Sequence, residues 1–424
     1  MNDFTFADPN IRYVTLGCIL LTCSASVVGC FTLLRKKALI GDALAHAVLP
    51  GVCLAFILSG EKNPVYLLAG AFLTGWLSIF VMNLITSRTK IKEDTAIGLV
   101  LSVFFGAGIL MLTAIQQQGN AAQSGLDRFL FGKAASLVQA DVVTFGIVSV
   151  ILLVTIFLFY KEFKLLCFDK DFARSIGMPI RLLEWVLTSL TVLAVVTGIQ
   201  AVGVVLMAAI LITPAAAARY WTDRLAIMLM LTALFGGVAA FVGVYISFLS
   251  PAMPTGPWMV MVIFAIALVS FTFAPPKGMF YRWNRQRRNR HQIAEDNILK
   301  ALFQMGEQDS AFFGAKTTGQ IMRHRTMPDA RLAGKLRGLV REGYISREGG
   351  AWKLTGEGKA RGQRITRLHR LWELYLTEYL RIAPDHVHDD AEMIEHIITP
   401  EIEARLQELL QYPQRDPHQK QIPT

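Results

Sequence analysis

The sequence predicts a mainly α-helical protein in two parts: a polytopic membrane bundle of about nine spans, then a cytoplasmic region with a winged helix and further helices. Three observations carry this. Of the 424 residues, 53% are hydrophobic and only 17% charged, which is too apolar for a single soluble enzyme of that length. Charge is also unevenly placed. Residues 1–280 hold 18 Lys+Arg and 13 Asp+Glu, whereas the much shorter 281–424 holds 24 and 19. Apolar runs of about 20 residues, enough to cross a bilayer, recur through the first part only.

Taken in order, the runs lie near 13–34, 38–59, 64–86, 95–117, 137–160, 183–199, 200–218, 225–250 and 257–274. The N-terminal MNDFTFADPN is acidic, so the first run reads as a retained span and not as a signal peptide. The sixth and seventh runs are separated only by Gly198–Gln200. With nine spans, Arg35, Lys36, Lys37, Arg88, Lys90, Lys92 and the cations between Lys161 and Arg181 fall on one side. Only Arg12, Lys62, Arg128 and Lys133 fall on the other, so the positive-inside rule places the C-terminal third in the cytoplasm. The five cysteines (Cys18, Cys23, Cys30, Cys53 and Cys167) show no CxxC spacing and read as small packing residues.

The second run, ALIGDALAHAVLPGV, carries Asp42 and His46 at i, i+4 in apolar surroundings, on one face of a helix. Ionisable groups at membrane depth cost roughly 2.5–3.5 kcal/mol each and mark transport paths. A carboxylate with an imidazole is also half a shell for a divalent transition metal. The plainer alternative has Asp42 capping the helix and His46 as a satisfied core histidine. Pro50 and Gly51 then predict a kink beside the pair, and Pro214 predicts another in the seventh run. The longest inward loop, 161–179, contains Phe168, Phe172 and Ile176 at i, i+4, i+8, opposite Asp169, Lys170, Asp171 and Arg174. This predicts a short amphipathic helix over 168–177, stopped by Gly177 and Pro179. It would lie on headgroups or fit a motor subunit.

Three stretches, GDALAHAVLPG, FDKDFARSIGMP and AVGVVLMAAILITPAAAAR, resemble the permease subunits of manganese-, zinc- and iron-type ABC importers in both order and topology. The likeness covers about residues 10–275. It implies a dimer of permease chains (a second copy or a sister chain), an ATP-binding subunit and an extracytoplasmic metal-binding protein. By that resemblance Asp42 and His46 line the metal pathway, and Phe168, Asp169, Phe172, Ala173 and Gly177 belong to the helix that couples to the ATPase. No GxxxxGK[ST] stretch occurs, so this chain offers no phosphate loop and ATP hydrolysis is expected from a separate subunit. It reads as a transporter subunit of the inner membrane and not as an enzyme.

The remaining third divides into a basic juxtamembrane linker (281–293), a winged-helix region (294–362) and a helical region (363–424), behind a membrane domain of 1–280. The linker, with five arginines between Arg282 and Arg290, reads as a stop-transfer anchor on anionic lipid. Helical patterns at 296–305, 318–325 and 328–343 precede short strands flanking Gly349-Gly350, which is the winged-helix order. On the third helix Leu332, Leu336, Leu339 and Val340 form the apolar face. Arg331, Lys335 and Arg337 on the other face would suit a DNA groove, although exposed arginines are also what a solvated face carries. His369 and Glu373 stand at i, i+4, and His388, Glu392, Glu395 and His396 crowd nine residues. These N and O donors without thiolate suit Mn²⁺ or Fe²⁺, with Zn²⁺ also compatible.

Residues 294–424 resemble the metal-dependent repressors of the DtxR/MntR family, down to the tail 413–418. The resemblance implies one metal site at His369, Glu373 and His388, and a second at Glu392, Glu395 and His396, with Asp296 contributing from the first helix. The expectation is an importer permease for Mn, Fe or Zn with a fused metal-sensing domain. Two alternatives stand beside it: a working DNA-binding repressor, tethered or released by proteolysis, and a membrane metal receptor without transport.

Overall fold

The computed structural model describes residues 8–60, 64–117, 132, 134–249, 253–324, 329–381 and 398–423. The chain splits into two compact units, Met1–Arg282 and Trp283–Thr424.

Nine helical stretches among the described residues of the first unit are long and apolar enough to cross a membrane, matching the predicted number. Only intrasegment bonding satisfies the backbone in hydrocarbon, so these runs fold as helices. Helix α1 (Pro9–Leu34) begins at Asp8, whose side chain accepts from the Asn10 amide at 2.9 Å. It is the most buried span, packed against α6 (Gln139–Leu158), α9 (Ile180–Val202), α10 (Val204–Trp221) and α11 (Leu225–Leu249). In lipid there is little hydrophobic drive between helices, so small residues and hydroxyls do the joining. Ser26 donates to the Ile210 carbonyl at 3.1 Å, and the Ser24 and Ser149 hydroxyls meet at 3.0 Å. A Cβ on Gly29 would come within 1.7 Å of the Leu211 carbonyl oxygen, so α1 and α10 approach this closely only because Gly29 has none. Outward faces carry Leu58 and Phe157, each 85% exposed, as lipid-facing surfaces should.

The second span is two helices, α2 (Ile40–Ala47) and α3 (Leu49–Ser59), broken at Val48. Pro50 sits in the first turn of α3, where a missing amide costs nothing. Helices α4 (Pro64–Arg88) and α5 (Glu93–Gln117) follow, and α12 (Thr255–Phe273) closes the bundle. The sixth and seventh spans part at Gly203 (φ +86°), not at Gly198–Gln200, which lie buried inside α9. The amphipathic helix of the inward loop is also shorter in structure than its pattern predicts. Phe168 ends α7 (Tyr160–Phe168), and Asp169, at φ −147°, caps the short α8 (Lys170–Ser175).

In the second unit the predicted linker is helical. The basic run belongs to α13 (Met279–Gln308), which also supplies the first winged-helix segment. Helices α14 (Thr318–His324) and α15 (Asp329–Arg341) and the hairpin β1 (Ile345–Glu348)/β2 (Ala351–Leu354) complete that fold. The hairpin pairs Ile345 with Leu354, and both turn glycines have positive φ, as a two-residue primed turn requires. Ile298, Leu302, Leu336 and Trp352 are part of one apolar cluster. The long α16 (Gly356–Glu378) and α17 (Pro400–Leu409) build a second around Leu371 and Leu406. Arg370 clamps the tail to this part. It makes two bonds to Glu307, at 3.1 and 2.7 Å, and donates to the Gln421 carbonyl.

Two side chains of α15 depart from expectation. Lys335 is buried, because its ammonium donates to the His291 carbonyl at 2.9 Å and pairs with Glu295 at 3.2 Å, both on α13. Val340, predicted in the apolar face, is 38% exposed.

Candidate functional site

Helix α2 is short and isolated by the break at Val48, and it holds Asp42 in its first turn and His46 in its last. Asp42 does not cap it: the N-cap is Leu39 and no side-chain cap bond forms. Asp42 Oδ1 and His46 Nε2 stand 3.7 Å apart, beyond hydrogen-bond reach but facing one another. The Asp42 side chain is half exposed, whereas that of His46 is largely enclosed, its ring meeting the edge of Phe105 on α5 at 4.9 Å. His46 Nδ1 is buried with no hydrogen-bond partner among the described residues. An unpaired buried polar atom costs about 1–3 kcal/mol, and no described residue satisfies His46 at Nδ1 as a core histidine would be satisfied. The arrangement offers one hard oxygen and one imidazole nitrogen to a common point, with an aromatic wall behind. Two donors on one ion with bonds of about 2.0–2.2 Å stand about 3–3.6 Å apart, so a slight closure would bring both onto a cation.

On the same side as the start of α2, α8 stands as a small knob. The Asp169 carboxylate accepts from the Phe172 amide at 2.9 Å, and Gly177 (φ +79°) turns the chain away. Ala173 is buried beneath, while Phe168, Phe172 and Ile176 are each about half exposed, at 54%, 53% and 54%. Two ion pairs tie this region to the bundle: Lys170 with Glu184 at 2.8 Å, and Arg35 with Glu184 at 3.2 Å.

In the second unit, one turn of α16 brings His369 Nε2 to 3.1 Å from Glu373 Oε1, with both side chains buried. These two predicted donors are together. Asp296, which the resemblance assigns to the other site, pairs with Arg361 at 2.7 Å. Among the described residues no group of three or more His, Cys, Asp or Glu forms. His388, Glu392, Glu395 and His396 lie outside the described residues, as does the side chain of Arg331. Arg337 is exposed, with its Nε–H turned to the Ala333 carbonyl at 3.3 Å. A buried imidazole–carboxylate pair fits a borderline divalent cation.

The residues that pattern reading missed are Phe105 and Glu184. Phe105 carries no polar signal at all. Glu184 is a lone carboxylate at the start of an apolar span, which could have flagged it.

Residues 7–274 match the family model described as the ABC 3 transport family. Residues 355–424 match the metal binding and dimerisation domain of iron dependent repressors. The chain is similar to the manganese transport system membrane protein MntC of Bacillus subtilis, 43% identical over 376 residues, covering 88% of this chain and 86% of that protein. It is also similar to the zinc transport system membrane protein TroC of Treponema pallidum, 44% identical across 66% of this chain and 95% of that one. Among solved structures, PsaBC from Streptococcus pneumoniae superposes with a TM-score of 0.58 at 33% identity, covering 65% of this chain and 94% of that one.

Proposed function

The chain belongs to the ABC 3 transport family, and on that premise we propose how its two parts work. It is a multi-pass permease subunit of an importer for a divalent transition metal, joined to a repressor-like metal-binding domain, and is not itself an enzyme. An ATP-binding subunit and an extracytoplasmic binding protein complete the importer.

Asp42 and His46 are the metal's transient ligands, and their geometry carries this reading. A transport site must release its ion, so two donors from each chain, completed by those of a second permease chain, suit passage better than a closed shell. Oxygen and nitrogen donors without thiolate suit manganese, iron or zinc alike, and the named relatives include both a manganese and a zinc system. The exposed apolar side chains of Phe168, Phe172 and Ile176, above the buried Ala173, form the knob that seats in the ATP-binding subunit. Cells lacking their own importer will accumulate the metal only when they express this chain together with the ATP-binding subunit. Elemental analysis will name the ion, and no accumulation of any divalent metal would return the chain to a receptor role.

The second unit senses cytoplasmic metal and restrains transport. Burial of Lys335 favours this over operator binding, because it takes one of three predicted DNA-contacting cations out of the groove-facing set. Residues 283–424 are therefore expected to show no metal-dependent gel shift with the importer's own promoter at moderate salt. A shift that appears with Mn²⁺ and vanishes with chelator would establish the repressor instead.

A further inference from the structure

We propose that Glu184 is the positioning residue that transmits movement of the ATPase-docking helix to the metal ligands. This rests on the reading of α8 and of Asp42–His46 given above. One carboxylate oxygen of Glu184, Oε1, accepts from Lys170 of α8 at 2.8 Å and from Arg35 at 3.2 Å. Arg35 is the C-cap of α1, and a tight turn at Lys36 (φ +60°) leads directly into α2, which carries Asp42 and His46. The same turn is tied a second way. Lys37 pairs with Glu93 at 3.2 Å, at the start of α5, the helix whose Phe105 packs on the His46 ring.

A displacement of α8 thus reaches both the ligand-bearing helix and the wall behind the imidazole through a series of short ion pairs, partly buried at Arg35–Glu184 and exposed at Lys170 and Glu93. Ordinary exposed pairs do little. Here the Arg35 side chain is only 13% exposed and shares its acceptor atom with Lys170, so losing one partner changes the field on the other. Close-packed interiors resist such rearrangement, but this one has room. Arg35, Lys37 and Glu184 line a cavity of about 410 Å³ between α1, α4 and α9. The carboxylate can exchange partners without repacking the bundle.

The test uses the full chain assembled with its ATP-binding subunit in membranes, measuring metal uptake and ATP hydrolysis on the same preparation. Glu184→Gln should leave hydrolysis and assembly near wild type while uptake falls about tenfold, so that the ATP spent per ion rises by that factor. The triple reversal Arg35→Glu, Lys170→Glu, Glu184→Lys restores the pairs with opposite sign and should recover uptake to within about threefold of wild type. Wild-type uptake in Glu184→Gln would overturn the proposal, as would equal losses of uptake, hydrolysis and assembly unrelieved by the triple reversal. If the wild-type chain itself moves no metal, the transport reading fails first and the relay falls with it.

Discussion

Replacing Asp42 and His46 together by alanine is expected to reduce metal accumulation at least about a hundredfold, since losing even a partner behind a metal ligand costs about 10–100-fold in affinity. The expectation is sharp because the structural cost of the change is small. Asp42 provides no cap to α2, and His46 Nδ1 is buried without a partner among the described residues. Removing the imidazole therefore breaks no hydrogen bond at Nδ1 among the described residues and ends the cost, about 1–3 kcal/mol, of burying that atom unpaired. The chain should reach the membrane at normal levels and bind its ATP-binding subunit, which should still hydrolyse ATP. Asp42→Asn, which keeps shape and loses charge, should be nearly as damaged as the alanine variant. Elemental analysis of cells, normalised to permease in the membrane fraction, checks this. Accumulation at wild-type levels in the double variant would make the pair structural and move the pathway elsewhere.

How much of this was legible in the sequence depends on range. The spans were legible because hydrophobicity at bilayer length is a local signal, and every predicted run matches a helix to within a few residues. The Asp42–His46 pair was legible for the same reason: both residues sit on one turn. Errors arose where backbone detail or distant partners decide. Asp169 leaves helical geometry at φ −147°, so what reads as one amphipathic helix from 168 to 177 is two, and the cap cannot be told from a face residue by periodicity. Gly203 ends α9 because it alone there takes φ +86°. Lys335 falls on the polar side of α15 by spacing, yet Glu295 and His291, some forty positions earlier, draw it inside. The Asp296–Arg361 pair is a contact across the fold that no local pattern announces, and it leaves the reading of Asp296 as a ligand of the other site untouched. Glu184 and Phe105 belong to the same class: their roles come from what the bundle brings beside them.

The other large effect is expected in the second unit. Alanine at both His369 and Glu373 should leave transport intact under metal limitation but remove its shut-off, so that cells shifted to excess metal accumulate it several times beyond wild type, on the order of the 5–150-fold span of allosteric couplings. The physical reason lies in burial. A His–Glu pair at 3.1 Å with both side chains nearly inaccessible holds one nitrogen and one oxygen donor side by side, already stripped of water. That donor set suits a divalent cation. Metal held there would favour whichever state of the unit completes its shell, which is how a ligand shifts an equilibrium. Arg370, the next residue along α16, clamps Glu307 near the end of α13 and the tail at Gln421, so the pair sits beside contacts to both segments. A chelator that lowers cytoplasmic metal should reproduce the variant in wild-type cells, and truncation after Arg282 should reproduce it without any chelator. Time courses of uptake after a metal shift decide the matter: if the double variant shuts off as promptly as wild type, His369 and Glu373 are a structural pair and the restraint on transport lies elsewhere.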